Sequence, residues 1–223
     1  MTGAQRGSSP SGVHLLVIAK EPVPGRVKTR LCPPCSPEQA AALAEAALHD
    51  TLSAVARTPA AARTVVLSGV PGCWLPPGTA VLPQRGAGLD ERLAAAFDDA
   101  WEQHQAPLLL IGMDTPQVTP ALLTAAADRL LTPGTGAVLG PASDGGWWAL
   151  GLHRPDSSLL VGVPTSTPVT GRLQRQRLVR AGLRVGDLPV LVDVDTIEDA
   201  SAVAALAPSS RFARALGAMA ALR

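Results

Sequence analysis

Apolar and polar residues follow one another along this chain in short blocks. Several blocks are short runs of apolar residues without a polar face, which are typical of strands that are buried on both faces of a sheet. We predict strands wherever such a run is bounded by glycine, proline or polar residues. These runs cover residues 13–19, 64–69, 107–113, 137–141, 146–152 and 190–194.

The segments between these runs carry helix start signals. Ser36 precedes a proline and then Gln39, which predicts an N-cap, a first-turn proline and a capping-box partner for a helix over residues 37–57. Thr119 and Thr196 stand in equivalent positions further along the chain. We predict helices over residues 37–57, 89–103, 120–131, 171–181 and 197–206, and a last helix from residue 209.

Strands that alternate with helices predict an α/β fold with three layers, in which helices cover both faces of a mostly parallel sheet. The chain has no internal repeat and no long linker, so we expect one domain over residues 13–223 behind a disordered lead, residues 1–12. In such sheets ligands bind beyond the carboxyl ends of the strands, where the strand order reverses.

Composition excludes several classes of protein. The formal net charge of the 223 residues is +1, which does not favour a nucleic-acid-binding surface, and no apolar run approaches the ~18 residues of a membrane span. The lead lacks an apolar signal core, so we expect a cytoplasmic protein. Cys32, Cys35 and Cys73 lack the second pair that a zinc site needs, and we interpret them as incidental thiols.

A basic segment, 20-KEPVPGRVKTRL-31, directly follows the first predicted strand. Its prolines and Gly25 favour an extended or turning backbone, which would alternate Arg26, Lys28 and Arg30 onto one side. Cations at the exit of a buried strand suit a polyphosphate, because arginine binds phosphate with two donors and lysine adds a point charge. The alternative is a solvated surface loop.

Acidic residues follow two other predicted strands. Asp114 stands directly after residues 107–113, and Asp193 and Asp195 stand at the end of residues 190–194. Mg²⁺ prefers one or two carboxylates together with phosphate oxygens, so Asp114 and Asp193 are candidate ligands. Asp195 adjoins the start of the next helix, and we interpret it as structural.

A further polar segment, 140-GPASDGGWWALG-151, lies between two predicted strands. Asp144, Gly145 and Gly146 suit a tight turn, which alone would explain them. Strand alternation places Trp147 and Trp148 on opposite faces, so one ring can pack in the core while the other lines a cleft. Two core tryptophans are the alternative.

These segments together resemble one family. The order K-x-P-x-P-G-x-x-K-T-R-L, G-x-D-x-P, G-P-x-x-D-G-G and D-V-D-T-x-x-D is similar to the bacterial glycosyltransferase-like family of the nucleotide-diphospho-sugar transferase superfamily. This family was formerly a domain of unknown function, labelled a radical SAM/selenodomain-associated transferase. The motifs run in this order from about residue 13 to residue 206.

The resemblance implies a GT-A-like, Rossmann-like fold that binds a nucleotide over the exit of the first strand. It implies Mg²⁺ or Mn²⁺ on Asp114, with Asp193 as the second ligand. The stretch 84-QRGAGLDERL-93 resembles a nucleotide-contacting segment of the family, with Asp90 where glycine is usual. The implied nucleotide and phosphate contacts are Lys20, Gly25, Arg26, Lys28, Thr29, Arg30 and Arg92, and the implied acceptor or sugar contacts are Gly145, Gly146, Trp147 and Trp148.

Three functions fit these residues. The sequence slightly favours glycosyl transfer from a nucleotide-sugar to a small acceptor, with Asp144 as general base and Lys28 stabilising the leaving diphosphate. Nucleotidyl transfer from a nucleoside triphosphate to a phosphorylated acceptor would use the same cations and metal ligands. The single acid of 112-GMDTP-116, where GT-A glycosyltransferases typically carry D-x-D, favours this second reaction. A nucleotide-binding protein without turnover is the third hypothesis.

Overall fold

The computed structural model describes residues 12–220, so the predicted disordered lead lies outside the described residues except for Gly12. Two short 3-10 helices, Thr29–Leu31 and Ser157–Leu159, accompany seven strands and six α-helices within this range. The strands are β1 His14–Lys20, β2 Ala62–Ser68, β3 Ala80–Pro83, β4 Leu108–Gly112, β5 Ala137–Pro141, β6 Trp147–Leu152 and β7 Val185–Asp187. The helices are α1 Pro37–Arg57, α2 Leu89–Gln103, α3 Pro120–Leu131, α4 Thr170–Arg180, α5 Ile197–Leu206 and α6 Arg211–Ala220.

The strands form a single mixed sheet in the order β3-β2-β1-β4-β6-β5-β7. Within the described residues only β6 runs antiparallel to its neighbours, β4 and β5, and every other pair is parallel. The chain builds β2 and β3 on one side of β1 and then returns to place β4 on the other side. A crevice therefore opens beyond the carboxyl ends of β1 and β4, as the predicted fold requires.

Both faces of the sheet are covered, which confirms the predicted three layers. Leu15 and Val17 of β1 pack with α1 and α3, whereas Leu16 packs on the opposite face with α2 and α4. Burial on both faces explains why the strands read as continuous apolar runs. A third apolar cluster lies outside α1, where α5 and α6 pack around the fully buried Phe212.

The start signals act as the sequence predicts. Ser36 and Gln39 form a reciprocal capping box at α1, and Thr196 forms one with Asp199 at α5. The start of α6 is capped by a residue far away in the sequence. The Asp50 carboxylate of α1 accepts hydrogen bonds from the backbone N–H groups of residues 211 and 212 at 3.0 and 2.8 Å. Within residues 12–220, no helix has the length and apolar character that crossing a membrane would require.

The strand predictions contain three errors. Residues 190–194 form no strand, since Leu191 makes one isolated bridge to Ala142 and Val190 is 63% exposed. The short edge strands β3 and β7 were not predicted. Each gains its pairing from a longer neighbour, β2 or β5, and four residues or fewer carry too little periodicity to indicate a strand.

His14 gives the fold a testable pH dependence. It is fully buried, its Nε2 lies 2.8 Å from the Thr64 hydroxyl, and its ring meets that of His104 edge-on. Burial, with a smaller effect of His104, lowers the pKa of His14 to about 4. When the pH falls below ~6.5, the unfolded chain therefore binds a proton that the folded state does not bind.

We expect this difference to cost the native protein about 3 kcal/mol of unfolding free energy between pH 6.5 and 4. His14→Gln removes that loss, so the variant should lose less stability than the wild type over this range in urea titrations. His153→Gln, at an exposed position, is the matched control and should behave like the wild type. Parallel pH profiles for His14→Gln and the wild type would contradict the assignment.

Candidate active site

A cleft of ≈ 770 Å³ occupies the crevice beyond β1 and β4. Its walls come from the loop after β1, the starts of α2 and α4, the loop after β4, the β5–β6 turn and residues 193–195. Residues with polar side chains on its lining are Lys20, Arg26, Lys28, Thr29, Arg30, Gln84, Arg92, Asp114, Asp144, Thr165, Ser166, Thr167, Thr170, Asp193 and Asp195.

The basic loop reaches the cleft through a turn, one of the two backbones that its prolines and Gly25 predicted. Arg26 N–H bonds the Val23 carbonyl at 3.0 Å, which closes a turn with Gly25 at φ 74°. Lys28 then adopts a left-handed conformation, φ 48° and ψ 37°, immediately before a 3-10 helix. Arg26, Lys28 and Arg30 all line the cleft, the shared side that was predicted for them, although a turn and a left-handed residue rather than a strand-like alternation place them there.

Two buried side chains hold this loop in place. Val27 packs into the apolar cluster between the sheet and α1, and Leu31 packs into the separate cluster outside α1. Lys28 lies between these anchors, so its main chain is fixed on both sides. A left-handed conformation is costly for a residue with a side chain, typically about 1 kcal/mol or more, and such conformations often occur at functional sites.

The ammonium group of Lys28 bridges two carboxylates. Its Nζ lies 2.9 Å from Asp114 Oδ1 and 3.2 Å from Asp195 Oδ1. The Lys28 side chain is only 9% exposed, whereas those of Asp114 and Asp195 are 38% and 33% exposed. Burial opposes the charge on Lys28, but the attraction of the two carboxylates outweighs it and raises the pKa of the lysine.

Arg30 binds the same acid from the solvent side. Its guanidinium lies 3.0 Å from Asp195 Oδ2, with a side chain that is 71% exposed. Asp195 is therefore part of an ion-pair network on the cleft wall, a contact that its interpretation as a structural residue beside α5 missed. Sequence order could not show this contact, because Lys28 and Asp195 are separated by most of the chain.

Separate side-chain and main-chain bonds, rather than a strand, position the acids of residues 193–195. Trp148 Nε1 donates to the Pro189 carbonyl at 2.9 Å, and Gln117 Nε2 donates to the carbonyl of residue 192 at 2.7 Å. Val194 N–H then bonds the main-chain carbonyl of Asp114 at 3.0 Å. These bonds fix the segment against the loop after β4, so that its two acids line the cleft with Asp114.

Asp193 is the acid whose charge is least satisfied. Its Oδ1 is buried and has no hydrogen-bond partner among the described residues. Burial raises the pKa of Asp193 to about 7, with further increases from Asp114 and Asp144 that exceed the opposing effect of Lys28. A carboxylate oxygen without a donor, beside other carboxylates, is an arrangement that a cation would relieve.

The donor set therefore fits Mg²⁺ or Mn²⁺ on Asp114 and Asp193. Within residues 12–220, no group of three or more histidine, cysteine or acidic side chains is placed to hold a metal by itself. Mg²⁺ is commonly bound by one or two carboxylates, with phosphate oxygens and water as the remaining ligands. These two acids are thus compatible with a metal that arrives with a phosphorylated substrate.

The β5–β6 turn places Asp144 and both tryptophans as the sequence predicts. Asp144 Oδ1 accepts Gly146 N–H at 2.8 Å, and a Cβ on Gly145, at φ +89°, would meet the carbonyl oxygen of residue 168 at 2.0 Å. Trp148 is 1% exposed and packs with the α1–α3 face, whereas Trp147 is half-buried and packs toward α2. Both tryptophans contribute to the cleft lining.

The start of α2 also contributes to the cleft lining. Arg92 donates to the carbonyls of Gly86 and Ala87 at 3.1 and 3.3 Å while still lining the cleft. Asp90, where the family pattern has glycine, accepts Gly162 N–H at 2.8 Å. It thereby ties α2 to the segment that leads into the cleft wall at residues 165–168.

The structure places all of the sequence-predicted site residues in the cleft lining except Gly25 and Gly145. These two glycines have positive φ angles and form the turns that carry neighbouring lining residues. Sequence reasoning missed the hydroxyl-rich wall at residues 165–170. Ser166 there has a positive φ of 58°. The segment 164-PTSTPVT-170 just before a helix was the available signal.

Comparison with known proteins gives likenesses of sequence and of structure. Residues 40–167 match the family model described as "Uncharacterized protein conserved in bacteria (DUF2064)". The 2-phospho-L-lactate guanylyltransferase of Natrialba magadii is 33% identical over 142 residues, and this chain spans 58% of the length of that curated relative. The same alignment covers 58% of this chain.

Solved structures extend the likeness over more of the chain. A protein of Desulfovibrio desulfuricans G20, provisionally assigned as a nucleotide-diphospho-sugar transferase, has a TM-score of 0.77 at 28% identity and 84% coverage of both chains. The 2-C-methyl-D-erythritol 4-phosphate cytidylyltransferase of Thermus thermophilus has a TM-score of 0.52 at 18% identity, covering 88% of this chain and 99% of the other. The second likeness is of fold alone.

The ion-pair network predicts unequal effects for its two cations. Lys28→Met leaves Asp114 and Asp195 close together without the buried charge between them, so we expect the unfolding free energy to fall by about 2–3 kcal/mol. Arg30→Met is the matched control, because it removes an exposed partner of the same Asp195, and should cost less than about 1 kcal/mol. Urea unfolding of both proteins tests this, and equal losses would contradict the buried bridge.

Proposed function

The chain belongs to the DUF2064 family, as its motifs predicted, and we propose that it is a nucleotidyltransferase that joins a nucleoside triphosphate to a phosphorylated small molecule. One observation carries this proposal. Lys28 is buried between Asp114 and Asp195 at the switch point of the sheet, and Asp193, whose buried Oδ1 has no partner among the described residues, lines the same cleft. This is a charge-neutralising centre suited to phosphates rather than a proton-transfer centre.

The charge distribution of the cleft supports the binding of a triphosphate. Arg26 and Arg30 lie on the loop beside Lys28, and Arg92 of α2 lines the same cleft. Guanidinium groups bind phosphate oxygens through two parallel donors, and the cleft focuses their charge. We assign Arg26 and Arg30 to the phosphate chain, with Lys20 at the exit of β1.

The proposed reaction needs little covalent chemistry from the protein. An acceptor phosphate oxygen forms a bond to the α-phosphorus, and the bond from that phosphorus to the bridging oxygen breaks as pyrophosphate leaves. The acceptor phosphate is already ionised, so no general base is required. Lys28 and the arginines position the reactants and stabilise charge on the leaving group.

Mg²⁺ or Mn²⁺, held by Asp114 and Asp193, would supply further neutralisation of the phosphate charge. The main chain beside both acids is positioned by contacts outside the ligand set. Val194 N–H bonds the main chain of Asp114, and Gln117 holds the residue before Asp193. The relative of Natrialba magadii, a guanylyltransferase by name, supports the same reaction class.

Ligand panels test the proposal. We expect nucleoside triphosphates with Mg²⁺ to raise the melting temperature more than nucleotide-sugars do, and EDTA to remove most of the shift; a ligand at about a hundredfold its Kd adds roughly 2.7 kcal/mol. Asp114→Asn should abolish the metal-dependent part. Asp128→Asn, on the exposed side of α3, is its control. If no nucleotide raises the melting temperature, the proposed function is wrong. Increases in melting temperature that EDTA leaves unchanged would overturn the metal assignment.

Glycosyl transfer from a nucleotide-sugar is the second candidate, favoured by the β5–β6 turn. Trp147 offers a half-buried ring at the cleft, suited to stacking on a sugar, and Asp144 is an acid on the same turn. The protein of Desulfovibrio desulfuricans G20 supports this reading by its provisional assignment. Here Asp144 would take the proton of an acceptor hydroxyl.

Asp144→Asn separates the two reactions. Asparagine can still accept Gly146 N–H, so the turn should persist and ligand binding should change little. Under nucleotidyl transfer we expect pyrophosphate release to stay within about threefold of wild type, whereas loss of a general base would slow sugar transfer by about 10²-fold or more. Turnover of triphosphate and of nucleotide-sugar by both proteins, with melting temperature as the folding control, decides between the candidates.

A further inference from the structure

We propose that the protein forms a symmetric dimer through a surface that consists of α2, the 3-10 helix Ser157–Leu159 and α4, the α2–α4 face. All three elements pack on the same side of the sheet, and the 3-10 helix contacts both α-helices. The partner is the same face of a second copy of this chain. The inference does not depend on the proposed function, because it concerns a surface outside the cleft.

The two helices of this face carry opposite charges. α2 contains five acidic residues and one arginine, a net charge of −4, whereas α4 contains four arginines and no acid, a net charge of +4. Within residues 12–220, no salt bridge joins α2 to α4. The formal charge of the whole chain is only +1, so the face separates charge that the chain as a whole balances.

The charges in the last turns of the two helices lack partners inside the chain. Glu102 of α2 and Arg180 of α4 are exposed, and neither side chain forms a hydrogen bond or a salt bridge within the described residues. Asp98 lies one turn before Glu102. Burial raises the pKa of Asp98, and the carboxylates of Asp99 and Asp156 raise it further. Carboxylates that are crowded by like charges are stabilised by a cation from outside.

The sheet places the opposite charges at the same level. Both helices begin at the cleft, where Arg92 and Thr170 belong to the lining. They also run in the same direction, because the strands that follow them, β4 and β7, are parallel to each other across β6 and β5. The ends of α2 and α4, with Glu102 and Arg180, therefore lie at the same edge of the sheet.

This arrangement makes the face complementary to itself. A two-fold axis that runs parallel to both helices through the 3-10 helix brings α4 of a second copy over α2, and α2 of the second copy over α4. The helix ends stay level, so Glu102 of one copy meets Arg180 of the other, twice in the dimer. An isologous interface requires this reciprocity.

The centre of the face is apolar and held in place by hydrogen bonds. Val161, which follows the 3-10 helix, is 42% exposed. Arg177 of α4 donates to the carbonyls of residues 158 and 161 at 2.6 and 3.1 Å, and Asp90 of α2 accepts Gly162 N–H at 2.8 Å. A shallow pocket of ≈ 90 Å³ beside α4 is lined by Val163, Pro164, Leu173, Gln176, Arg177 and Arg180. An apolar centre with a charged rim is the usual anatomy of a protein interface.

A second copy satisfies this face more completely than an acidic molecule does. A polyanion would bind the arginines of α4, but the acids of α2 would repel it. An acidic protein would likewise leave α2 without cations. The whole face is matched only by a partner that carries both charges in reversed positions around an apolar centre, and this chain is such a partner.

Sedimentation equilibrium of the full chain tests for the dimer. We expect the mass to rise with protein concentration toward twice that of the chain. The dimer Kd should rise at least about fivefold between 0.1 and 1 M NaCl, because the Debye length falls from ~10 to ~3 Å over this range.

Charge reversal tests the pairing. Arg180→Glu and Glu102→Arg should each raise the dimer Kd at least about tenfold, because each places like charges together at two positions of the interface. The double variant exchanges the charges, so its Kd should return to within about threefold of wild type. Arg214→Glu is the matched control. It makes the same charge change at an exposed site of α6, beyond α1 on the other side of the sheet, and should dimerise like the wild type.

Recovery in the double variant supports the α2–α4 face, because neither misfolding nor an altered net charge predicts it. Melting temperatures of all variants provide the folding control. A wild type that stays monomeric up to about 100 μM would overturn the inference, as would a dimer that both single reversals leave intact. Binding of polyglutamate to a monomeric wild type, abolished by Arg180→Glu, would also overturn it and assign α4 to an acidic partner.

Discussion

The buried ammonium group of Lys28 connects parts of the chain that are far apart in sequence. It lies on the loop after β1, and its carboxylate partners lie after β4 and before α5. A charge removed from water is stable only when it is paired and hydrogen-bonded. The loop that carries Lys28 is therefore stable in this position only when the two segments that carry its carboxylate partners are also in place. The left-handed backbone at Lys28 and the anchors at Val27 and Leu31 are the local structure that this arrangement requires.

The same constraint leaves one acid unsatisfied. Lys28 and Arg30 together balance the charges of Asp114 and Asp195, but Asp193 keeps a buried oxygen without a donor within the described residues. Folding alone would favour replacing that acid by a neutral side chain, because its burial raises its pKa to about 7. Polar groups that reduce stability in this way are concentrated at functional sites. This argument for function depends on energetics and needs no relative.

Local signals predicted much of the fold, and residue type predicted much of the site. The helix opened by Ser36 and the strand β5 have boundaries close to the predicted ones, because their determinants lie within a few residues. The segment 190–194 was misassigned, since its apolar run resembles a buried strand. One isolated bridge, the bond from Val194 to Asp114 and bonds from distant side chains hold it instead of a continuous ladder. The pairing of Lys28 with Asp195 was missed because it depends on which loops meet in space. The hydroxyls at residues 165–167 carry no charge to mark them among the many loop serines and threonines.

The two candidate reactions use the same cation loop and differ at the β5–β6 turn. Attack at phosphorus needs neutralised charge near Asp114 and Asp193, whereas attack at a sugar carbon needs a free base and a surface for the sugar. One oxygen of Asp144 is already engaged by Gly146 N–H, which makes the acid a component of its own turn. The Lys28 side chain, by contrast, stabilises no local turn. Its buried charge is explained by its ion pairs with Asp114 and Asp195. Because the phosphate-binding side serves both reactions, the engagement of Asp144 in its own turn is the observation for which we propose nucleotidyl transfer first.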